Sequence, residues 1–452
     1  MSALPRYERP SIQRHRSGMM NKVGAGPALR PQETIDGVSV RELVETYGSP
    51  LFVYSQRTLE KRVRDLRDQL TRRWPRVCVA WSYKTCYLDA VCQTFHAEGS
   101  WAEAVSGMEV RKALRNGVPM SRVVFNGPHK DDETLREALI GGAMVNVDHF
   151  DEIARCEAIA ESLGARPGVG IRLNLAAGTA PRWDRFGFNL DSGQAWDAVR
   201  RITGGGHLQI KGLHCHIGTY IQDADAYRDA ADQLARFANR LRAELGITIA
   251  YIDLGGGFAS RANLKGSYLP GAQTTPSMSQ YAEAIATGLS SLAFGQDELP
   301  LLIVETGRAL VDDAGTMIAT VVANKRLGDG RRAMVLDAGV NVLFTSYWYQ
   351  HEIVPAAPFY GVPEPTVVLG PLCMNIDVVC EQLTLPPLEA GDQVVIRTVG
   401  AYNVTQSMTF IHLQPAVVMI GRDGQHGVIR RAQTLDDLCE PESVPAWLAD
   451  RR

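Results

Sequence analysis

The sequence predicts an α/β protein in which a (β/α)8 barrel of the TIM type is followed by a C-terminal β-sandwich or β-barrel domain. The first observation is a regular alternation of short β-branched runs with helical patterns, in a span of the size such a barrel usually takes. The second is that polar clusters fall at the ends of the predicted strands, where this fold carries its active-site residues. A doubly wound open sheet is the alternative, but it normally has fewer strands and a switch point.

Each predicted barrel strand is an apolar run that ends at a glycine or a polar residue. The predicted strands are Val77–Lys84, Trp101–Ser106, Val123–Gly127, Met144–Asp148, Val169–Asn174, Ile210–Gly218, Ile249–Gly256 and Leu301–Gly307. Between them, apolar residues recur at three- and four-residue spacing, which is typical of helices packed on one face. The predicted helices include Leu88–Ala97, Glu109–Asn116, Asp131–Leu139, Phe150–Ser162, Tyr227–Glu244 and Ser279–Leu292.

After Val311 the pattern changes to strands joined by Gly- and Pro-rich turns. The predicted strands there are Met317–Asn324, Arg332–Asp337, Thr366–Leu369, Gln393–Thr398 and Ala416–Ile420. Pro50–Ser55 is also strand-like and is a candidate to join this C-terminal sheet. We therefore expect a mobile N-terminal arm over residues 1–35, the barrel over 61–311, and a β domain built from 36–60 and 312–440.

Composition excludes several classes of protein. The 452 residues are 45% hydrophobic and 21% charged, which fits a globular protein with a large core. The formal net charge of -3 gives no reason to expect a nucleic-acid partner. No apolar run has the length of a membrane helix, and the basic N-terminus lacks the apolar core of a secretory signal. The eight cysteines form no CxxC pair and predict reduced thiols in the cytoplasm.

Lys84 ends the first predicted strand, between Tyr83 and Thr85. A surface lysine with its ammonium in water is the commoner situation. A lysine that points into the mouth of a barrel would instead be partly desolvated, which would lower its pKa and make it a nucleophile toward a carbonyl carbon. Lys84 is therefore a candidate Schiff-base lysine.

The seventh predicted strand runs into the sequence DLGGGF, which contains Gly256 and Gly257. Without Cβ atoms such a turn brings backbone N–H groups close to an anion, although a tight turn alone is the simpler interpretation. Thr219 and Arg308, from the ends of the sixth and eighth predicted strands, could add a hydroxyl and a guanidinium to the same anion. The GxGxxG fingerprint is absent, which disfavours a dinucleotide.

His214 and His216 alternate along the sixth predicted strand and could face a metal together. No third ligand with suitable spacing is evident, so we predict no metal. A histidine stacked on a flat cofactor is the better functional interpretation for His216. Glu305 lies close to Gly307 and Arg308, and an arginine neighbour would keep the glutamate ionised.

Taken together, these residues resemble the fold-type III, pyridoxal-phosphate-dependent amino acid decarboxylases, which include the diaminopimelate, ornithine and arginine decarboxylases. The resemblance covers about residues 48–430. It rests on the combination of SYKT, AVSGMEV, RFGF, GLHCHIGT, DLGGGF, ETGR, GPLCMNID and GAYN. It implies a pyridoxal 5'-phosphate cofactor and an obligate head-to-tail homodimer with shared active sites.

The resemblance also implies roles for individual residues. Lys84 would be the Schiff-base lysine, His216 would stack on the cofactor ring, and Glu305 would pair with the pyridine nitrogen and strengthen the ring as an electron sink. Glu103 stands where the family has an acidic residue near the cofactor. The residues that would hold the cofactor phosphate are Gly256, Gly257, Arg308 and Thr219, with Tyr402 reaching it from the β domain. Gly307 is a further expected cofactor-binding residue.

On the substrate side, the resemblance implies that Cys373 protonates the substrate carbon from a loop that reaches the other subunit's site. The side chains expected next to the substrate are Arg308, Tyr349, Met374, Thr345 and Tyr402. Two of them depart from the diaminopimelate enzymes: Met374 replaces the acidic residue of CESGD, and Thr345 replaces the arginine of RPALY. In the motif ETGR, Thr306 also replaces a proline, which is a local backbone matter.

We therefore expect an α-decarboxylase of a free diamino acid such as ornithine or lysine, of either hand, that releases CO2 and an amine. A modified or carrier-bound amino acid of specialised metabolism is an alternative, given Met374, and diaminopimelate is another. An amino acid racemase and a non-catalytic carrier of pyridoxal phosphate are alternatives of other classes. Glu305 and Cys373 argue against the racemase, and the β domain with GPLC and GAYN argues against the carrier.

Overall fold

The computed structural model describes residues 29–178 and 182–449. Its centre is a closed barrel of eight parallel strands, in which each strand pairs with the next along the chain and the eighth pairs with the first. The barrel strands are Val77–Ser82, Trp101–Ala104, Val123–Phe125, Met144–Val147, Gly168–Asn174, Gln209–Cys215, Tyr251–Asp253 and Leu301–Val304. The predicted barrel is therefore confirmed, and the open-sheet alternative is wrong.

All eight predicted barrel strands form, but seven of them end one to three residues earlier than predicted. The predicted strand residues that lie outside the observed strands include Lys84, His216 and Gly256, which belong to the loops above the barrel. The apolar pattern continues past each strand end because those loops are themselves buried against the mouth of the barrel. Local pattern does not distinguish a buried loop from a buried strand.

Helices surround the barrel, and each helix turns an apolar face inward. The helices that pack around the barrel are Gln56–Thr71, Asp89–Ala97, Gly107–Arg115, Asp132–Ile140, Phe150–Leu163, Gln194–Gly205, Ala224–Leu245 and Met278–Leu289. Shorter helices are Val40–Tyr47, Gly271–Thr274, Arg308–Val311, Leu435–Cys439 and Ala446–Ala449, and 3-10 turns occur at Tyr83–Thr85, Met120–Arg122, Gln296–Glu298, Asp312–Ala314 and Phe344–Tyr347. Within the described part of the chain, no helix combines the length and apolar character needed to span a membrane.

The second structural unit is a mixed sheet of nine strands. Its strands are Leu51–Ser55, Gly315–Arg326, Arg332–Leu336, Ile353–Pro355, Glu364–Leu369, Val378–Leu385, Gln393–Arg397, Val417–Ile420 and His426–Arg430, and two-residue strands occur elsewhere at Thr34–Ile35, Val38–Ser39, Phe188–Asn189, Asn263–Leu264 and Tyr349–Gln350. Leu51–Ser55 lies between Gly315–Arg326 and Val417–Ile420. The sheet is thus assembled from both ends of the chain. The domain limits stay a prediction, and residues 1–28 of the predicted arm lie outside the described residues.

The two units meet at the mouth of the barrel. The backbone N–H of Tyr402 donates to the carbonyl of Thr85, directly after Lys84, at 2.8 Å. The hydroxyl of Tyr54 donates to the carbonyl of Gly400 at 3.0 Å, from inside the mixed sheet. These bonds place the GAYN loop of the mixed sheet beside the loops that end the barrel strands.

Candidate active site

Lys84 lies in the 3-10 turn that directly follows the first barrel strand. Its Nζ donates to Oε2 of Glu103, at the end of the second strand, at 2.6 Å, and the hydroxyl of Ser82 donates to the same oxygen at 2.6 Å. The predicted lowering of the Lys84 pKa is wrong. Burial does act to lower it, but the Glu103 carboxylate and more distant negative groups outweigh burial, so the pKa of Lys84 is raised.

Glu305 follows the last barrel strand and is almost fully buried. The side-chain amide of Asn126 donates to Oε1 of Glu305, and the same nitrogen lies 3.3 Å from Oε1 of Glu103. Nε2 of His214 is 3.5 Å from Oε1 of Glu305. A single amide therefore links the two carboxylates that the sequence placed near the cofactor.

Asp253 is a further buried carboxyl group beside Glu305. Burial raises the pKa of Asp253, and the neighbouring Glu305 raises it again. Burial also acts to raise the pKa of Glu305, but the neighbouring His214 and Asp253 side chains and the Lys84 ammonium together bring it below its ordinary value. Because two adjacent carboxylates cannot easily both ionise, Glu305 is the ionised member of the pair and Asp253 the protonated one.

His214, Asp253 and Glu305 each offer one possible ligand atom, and these atoms all lie within 4.8 Å of one another. The sequence had offered no third ligand near His214, and the closure of the barrel supplies two. In this cluster Glu305 already accepts the side-chain amide of Asn126, and the predicted lack of a metal stays a prediction. The cluster is better suited to a hydrogen-bonded carboxylate that faces a protonated nitrogen.

His216 lies just beyond the sixth strand, which ends at Cys215. Its Nδ1 accepts the backbone N–H of Gly256 at 3.0 Å, and its ring centroid is 5.3 Å from that of Trp183. Burial lowers the pKa of His216 to about 3, and nearby positive charge adds to this effect, so the ring is neutral. Thr219 follows in the same loop and is exposed.

The glycines of DLGGGF and ETGR leave bare backbone at the mouth of the barrel. Gly257 has a φ of 95°, in the region that favours glycine. A Cβ on Gly256 would overlap the carbonyl of Glu305, and one on Gly307 would overlap the side chain of Thr85. The loops therefore approach one another as closely as glycine allows, which suits a surface that receives an anion through backbone groups.

Arg308 begins the short helix after Glu305, and its side chain is only 10% exposed. The guanidinium carbon lies 4.6 Å from the ring centroid of Tyr349, 4.8 Å from that of Tyr402 and 5.9 Å from that of Tyr220. Its Nε has no hydrogen-bond partner among the described residues. A buried guanidinium with an open donor is well placed to bind an anion.

Asp312 joins the barrel to the GAYN loop. One carboxylate oxygen accepts the hydroxyl of Ser260, which follows DLGGGF, and the other accepts the N–H of Ala401 at 3.3 Å. Arg308 approaches the same carboxylate at 3.9 Å. Burial raises the pKa of Asp312 to about 6, although Arg308 and Ser260 act in the opposite direction. Asp312 therefore holds together the three loops around the predicted phosphate site.

Thr345 is buried in a neutral cluster of the second unit. Its Oγ1 lies 2.9 Å from Oδ1 of Asn403 and 2.9 Å from Nε2 of His351. Burial lowers the pKa of His351 to about 4, so this ring carries no charge at neutral pH. Tyr349, nearby in the chain, is also buried and packs on Arg308.

Cys373 is exposed and Met374 is half-buried on the loop 370–377. The loop is fastened by Asp377, whose carboxylate accepts the N–H of Leu372 at 2.7 Å and that of Val340 at 2.8 Å. The buried Asp377 carboxylate therefore fixes the backbone of the loop, while the cysteine side chain is exposed to solvent.

The structure adds four residues that sequence reasoning missed: Asn126, Asn146, Tyr251 and Asp253, all buried inside the barrel. A signal was present, because polar residues at Asn146, Tyr251 and Asp253 interrupt otherwise apolar predicted strands. A polar residue in a buried strand must find a hydrogen-bond partner, and that requirement marks it as a candidate.

A flat ring with an aldehyde and a phosphate fits this arrangement. The lysine would meet the aldehyde carbon, the ionised Glu305 a protonated ring nitrogen, and the glycine backbone with the open Nε of Arg308 the phosphate. The fold and the site thus define a barrel enzyme of the pyridoxal-phosphate type. Comparison with known proteins narrows this class: the chain belongs to the family "Pyridoxal-dependent decarboxylase, pyridoxal binding domain", which it matches over residues 56–312.

Relatives of known activity match almost the whole chain. Diaminopimelate decarboxylase of Actinosynnema pretiosum is 32% identical over 427 residues, 91% of this chain and 93% of the relative. That of Bacillus subtilis is 29% identical over 419 residues, 89% and 93% of the two chains. The solved structure of diaminopimelate decarboxylase from M. jannaschi has a TM-score of 0.84 at 26% identity and covers 93% of this chain and 98% of that chain. The predicted family, fold and cofactor are confirmed, and the protein is a pyridoxal-phosphate-dependent amino acid decarboxylase.

Proposed function

We propose that the enzyme removes the α-carboxylate of a cationic diamino acid of the ornithine or lysine type, of either hand. The observation that supports this substrate is the state of Thr345, which stands where the diaminopimelate enzymes have an arginine. Thr345 is neutral, buried and hydrogen-bonded to Asn403 and His351. A distal carboxylate would lose that cationic partner on leaving water, which is costly, whereas a substrate without the carboxylate avoids the cost.

Diaminopimelate is the second candidate. The relatives that match the chain at 29–32% identity are named diaminopimelate decarboxylases. Arg308, with its open Nε, is the cation that a distal carboxylate could use if the phosphate leaves that donor free. A modified or carrier-bound amino acid is the third candidate, since Met374 is apolar and its loop is exposed.

Pyridoxal phosphate, when bound, supplies the electron sink that accepts the electron pair left when CO2 departs. In our proposal Lys84 Nζ would hold the cofactor covalently. Glu305, which is ionised and hydrogen-bonded to Asn126, would keep a proton on the ring nitrogen. His216 would lie against the ring as a neutral imidazole, because its pKa is far below neutral pH.

The proposed phosphate site consists of Gly256, Gly257, Gly307 and Arg308, with Tyr402 reaching it from the mixed sheet and Thr219 from the loop after the sixth strand. Support comes from the close approach of these loops and from Asp312, which ties the Arg308 turn to the loop of Tyr402. Glu103, bound to Lys84 Nζ, holds the ammonium until the cofactor arrives.

We propose that Cys373 returns a proton to the substrate carbon in the site of a second subunit, as part of a homodimer. The loop of Cys373 lies next to a segment with exposed apolar side chains: Met408 donates to Asn341, and the adjacent Val340 donates to Asp377. Exposed apolar residues in these two segments include Ile376, Met408, Phe410 and Ile411. Large exposed apolar side chains near the loop favour a surface that is covered in the working enzyme.

The test is a substrate screen scored for CO2, with L- and D-lysine, L- and D-ornithine and meso-diaminopimelate, and Lys84→Ala as the blank. We expect lysine or ornithine to have a higher kcat/KM than meso-diaminopimelate. A preference for meso-diaminopimelate would overturn the proposed substrate but not the decarboxylase. CO2 release from none of the free amino acids would favour the modified or carrier-bound candidate.

We also propose that the enzyme works in a reducing compartment such as the cytoplasm. All eight cysteines are free thiols, and six of them are buried. Enzymes in oxidising compartments commonly pair such residues. Localisation of a tagged chain by cell fractionation would test this.

A further inference from the structure

Three buried side chains form a continuous line of hydrogen bonds that ends on Glu305. The Tyr251 hydroxyl donates to Oδ1 of Asn146 at 2.8 Å, and Nδ2 of Asn146 donates to Oδ1 of Asn126 at 2.9 Å. Nδ2 of Asn126 then donates to Glu305. We call Tyr251, Asn146 and Asn126 the barrel-core amide chain. All three side chains are shielded from solvent.

The direction of these bonds is set from the carboxylate end. An ionised carboxylate only accepts hydrogen bonds, so the NH2 group of Asn126 faces Glu305. The oxygen of Asn126 then accepts the NH2 group of Asn146. The oxygen of Asn146 in turn accepts the Tyr251 hydroxyl, so all three side chains are oriented by one another.

The barrel makes room for this chain at two glycines. A Cβ on Gly170 would overlap the polar end of Asn146 and the Tyr251 hydroxyl, and one on Gly212 would overlap the Tyr251 ring. Burial raises the pKa of Tyr251, so its hydroxyl stays protonated and remains a donor. Burying three polar side chains is costly unless each is satisfied, and an apolar core would be simpler.

We propose that Asn126 is a positioning residue for decarboxylation, which acts through Glu305 and is itself oriented by Asn146 and Tyr251. Its NH2 group holds the Glu305 carboxylate in one orientation and bridges it to Glu103, the partner of Lys84. The inference rests on the proposed role of Glu305 at the ring nitrogen. Without the amide, Glu305 would turn toward other donors such as His214, 3.5 Å away.

A double-mutant cycle distinguishes this positioning role of Asn126 from a role in core packing alone. In the wild-type background, Asn126→Leu should lower kcat about 10-fold with little change in KM, raise the cofactor Kd of the apoprotein, and shift the pH dependence of the bound-cofactor absorbance. In a Glu305→Gln background, the same substitution should change kcat by less than about 2-fold, because residues that act through one another are not additive. Equal effects in both backgrounds would overturn the inference.

Tyr251→Phe is the milder variant in case Asn126→Leu fails to fold. It should lower kcat by a smaller factor, and this effect should again disappear in the Glu305→Gln background. Tyr281→Phe is the matched control, since it removes a buried hydroxyl that serves the carbonyl of Ile221 and the N–H of Ala259. The control should lose thermal stability comparably, and its effect on kcat should be the same in both backgrounds. If Glu305→Gln alone leaves turnover and spectrum unchanged, the proposed role of Glu305 fails, whatever the cycle shows.

Discussion

The barrel interior around Glu305 and the loop that carries Cys373 are built in different ways. Inside the barrel, Lys84, Glu103 and Glu305 are linked through side chains from several strands. The Cys373 loop is held by backbone N–H bonds to Asp377, and the cysteine side chain is exposed. The region around Lys84 and Glu305 is therefore preassembled within a single chain. The Cys373 loop has a defined backbone shape, but its cysteine points to solvent. Preorganisation is concentrated where charge must be controlled in a dry environment.

The largest effect should come from the barrel side. Lys84→Ala should abolish turnover, because the covalent anchor is lost. In the wild type, the protein should absorb in the near-visible range, and borohydride should fix the cofactor to Lys84, as mass spectrometry of the tryptic peptide would show. A wild-type protein that stays colourless with added pyridoxal phosphate would contradict the assignment.

Substitution of Cys373 should lower activity almost as much as substitution of Lys84, but in the active site of the other subunit. Cys373→Ala and Lys84→Ala homodimers should each be almost inactive, while mixed dimers should regain part of the activity because some carry one intact site. The measurement is CO2 release after dissociation and reassembly, with subunit exchange followed by mass. Proven exchange without any recovery would place Cys373 in its own subunit's site or outside catalysis.

Glu305→Gln should have an intermediate effect. The substitution keeps the shape but removes the negative charge that stabilises a protonated ring nitrogen, so transition-state stabilisation should fall by ~2–4 kcal/mol. Cofactor binding should remain largely intact. Comparison of kcat with the cofactor Kd checks this, and unchanged turnover would mean that the carboxylate does not face the ring nitrogen.

Asp312 connects the barrel loops to the GAYN loop, and its titration should make the free energy of unfolding depend on pH. The folded chain holds the Asp312 proton up to a pKa of about 6, whereas the unfolded chain releases it near pH ~4. Between these values the folded state binds more protons, so this group's contribution to stability falls as the pH rises. Asp312→Asn does not titrate, and its free energy of unfolding relative to wild type should rise by roughly 1–3 kcal/mol from pH ~4 to ~7. Urea unfolding of both proteins across that range tests the sign.

The smallest effect concerns the substrate. Met374→Glu should raise kcat/KM for lysine and ornithine by an amount worth roughly 1 kcal/mol, since it offers a charge to the distal ammonium. Adding Thr345→Arg should shift preference toward meso-diaminopimelate relative to the single variant. The second step has to displace Thr345 from Asn403 and His351, so thermal stability should fall as well. No shift in the ratio of kcat/KM values would show that other residues already make these contacts.

The sequence by itself determined the barrel and the β-rich second unit, and it indicated most of the charged residues of the candidate site. Lys84, Glu305 and the glycine turns were found because strand ends in this fold converge at one face, so polar residues there are informative without coordinates. The amide chain was missed because its bonds join residues from different strands: Tyr251 and Asn146 are 105 residues apart, and Asn126 and Glu305 are 179 apart. Barrel closure alone brings them together.

The tertiary structure also decided the pKa values of the site residues and the partners of their side chains. Lys84 was expected to have a lowered pKa from desolvation, but its contact with Glu103 reverses the sign. Thr345, which the motif places next to the substrate, has a hydroxyl within hydrogen-bond distance of Asn403 and His351, and the sequence did not indicate those partners. Residue type predicts which chemistry is available, whereas pKa and orientation depend on neighbours within a few ångströms. Those neighbours come from distant parts of the chain, so only the folded structure identifies them.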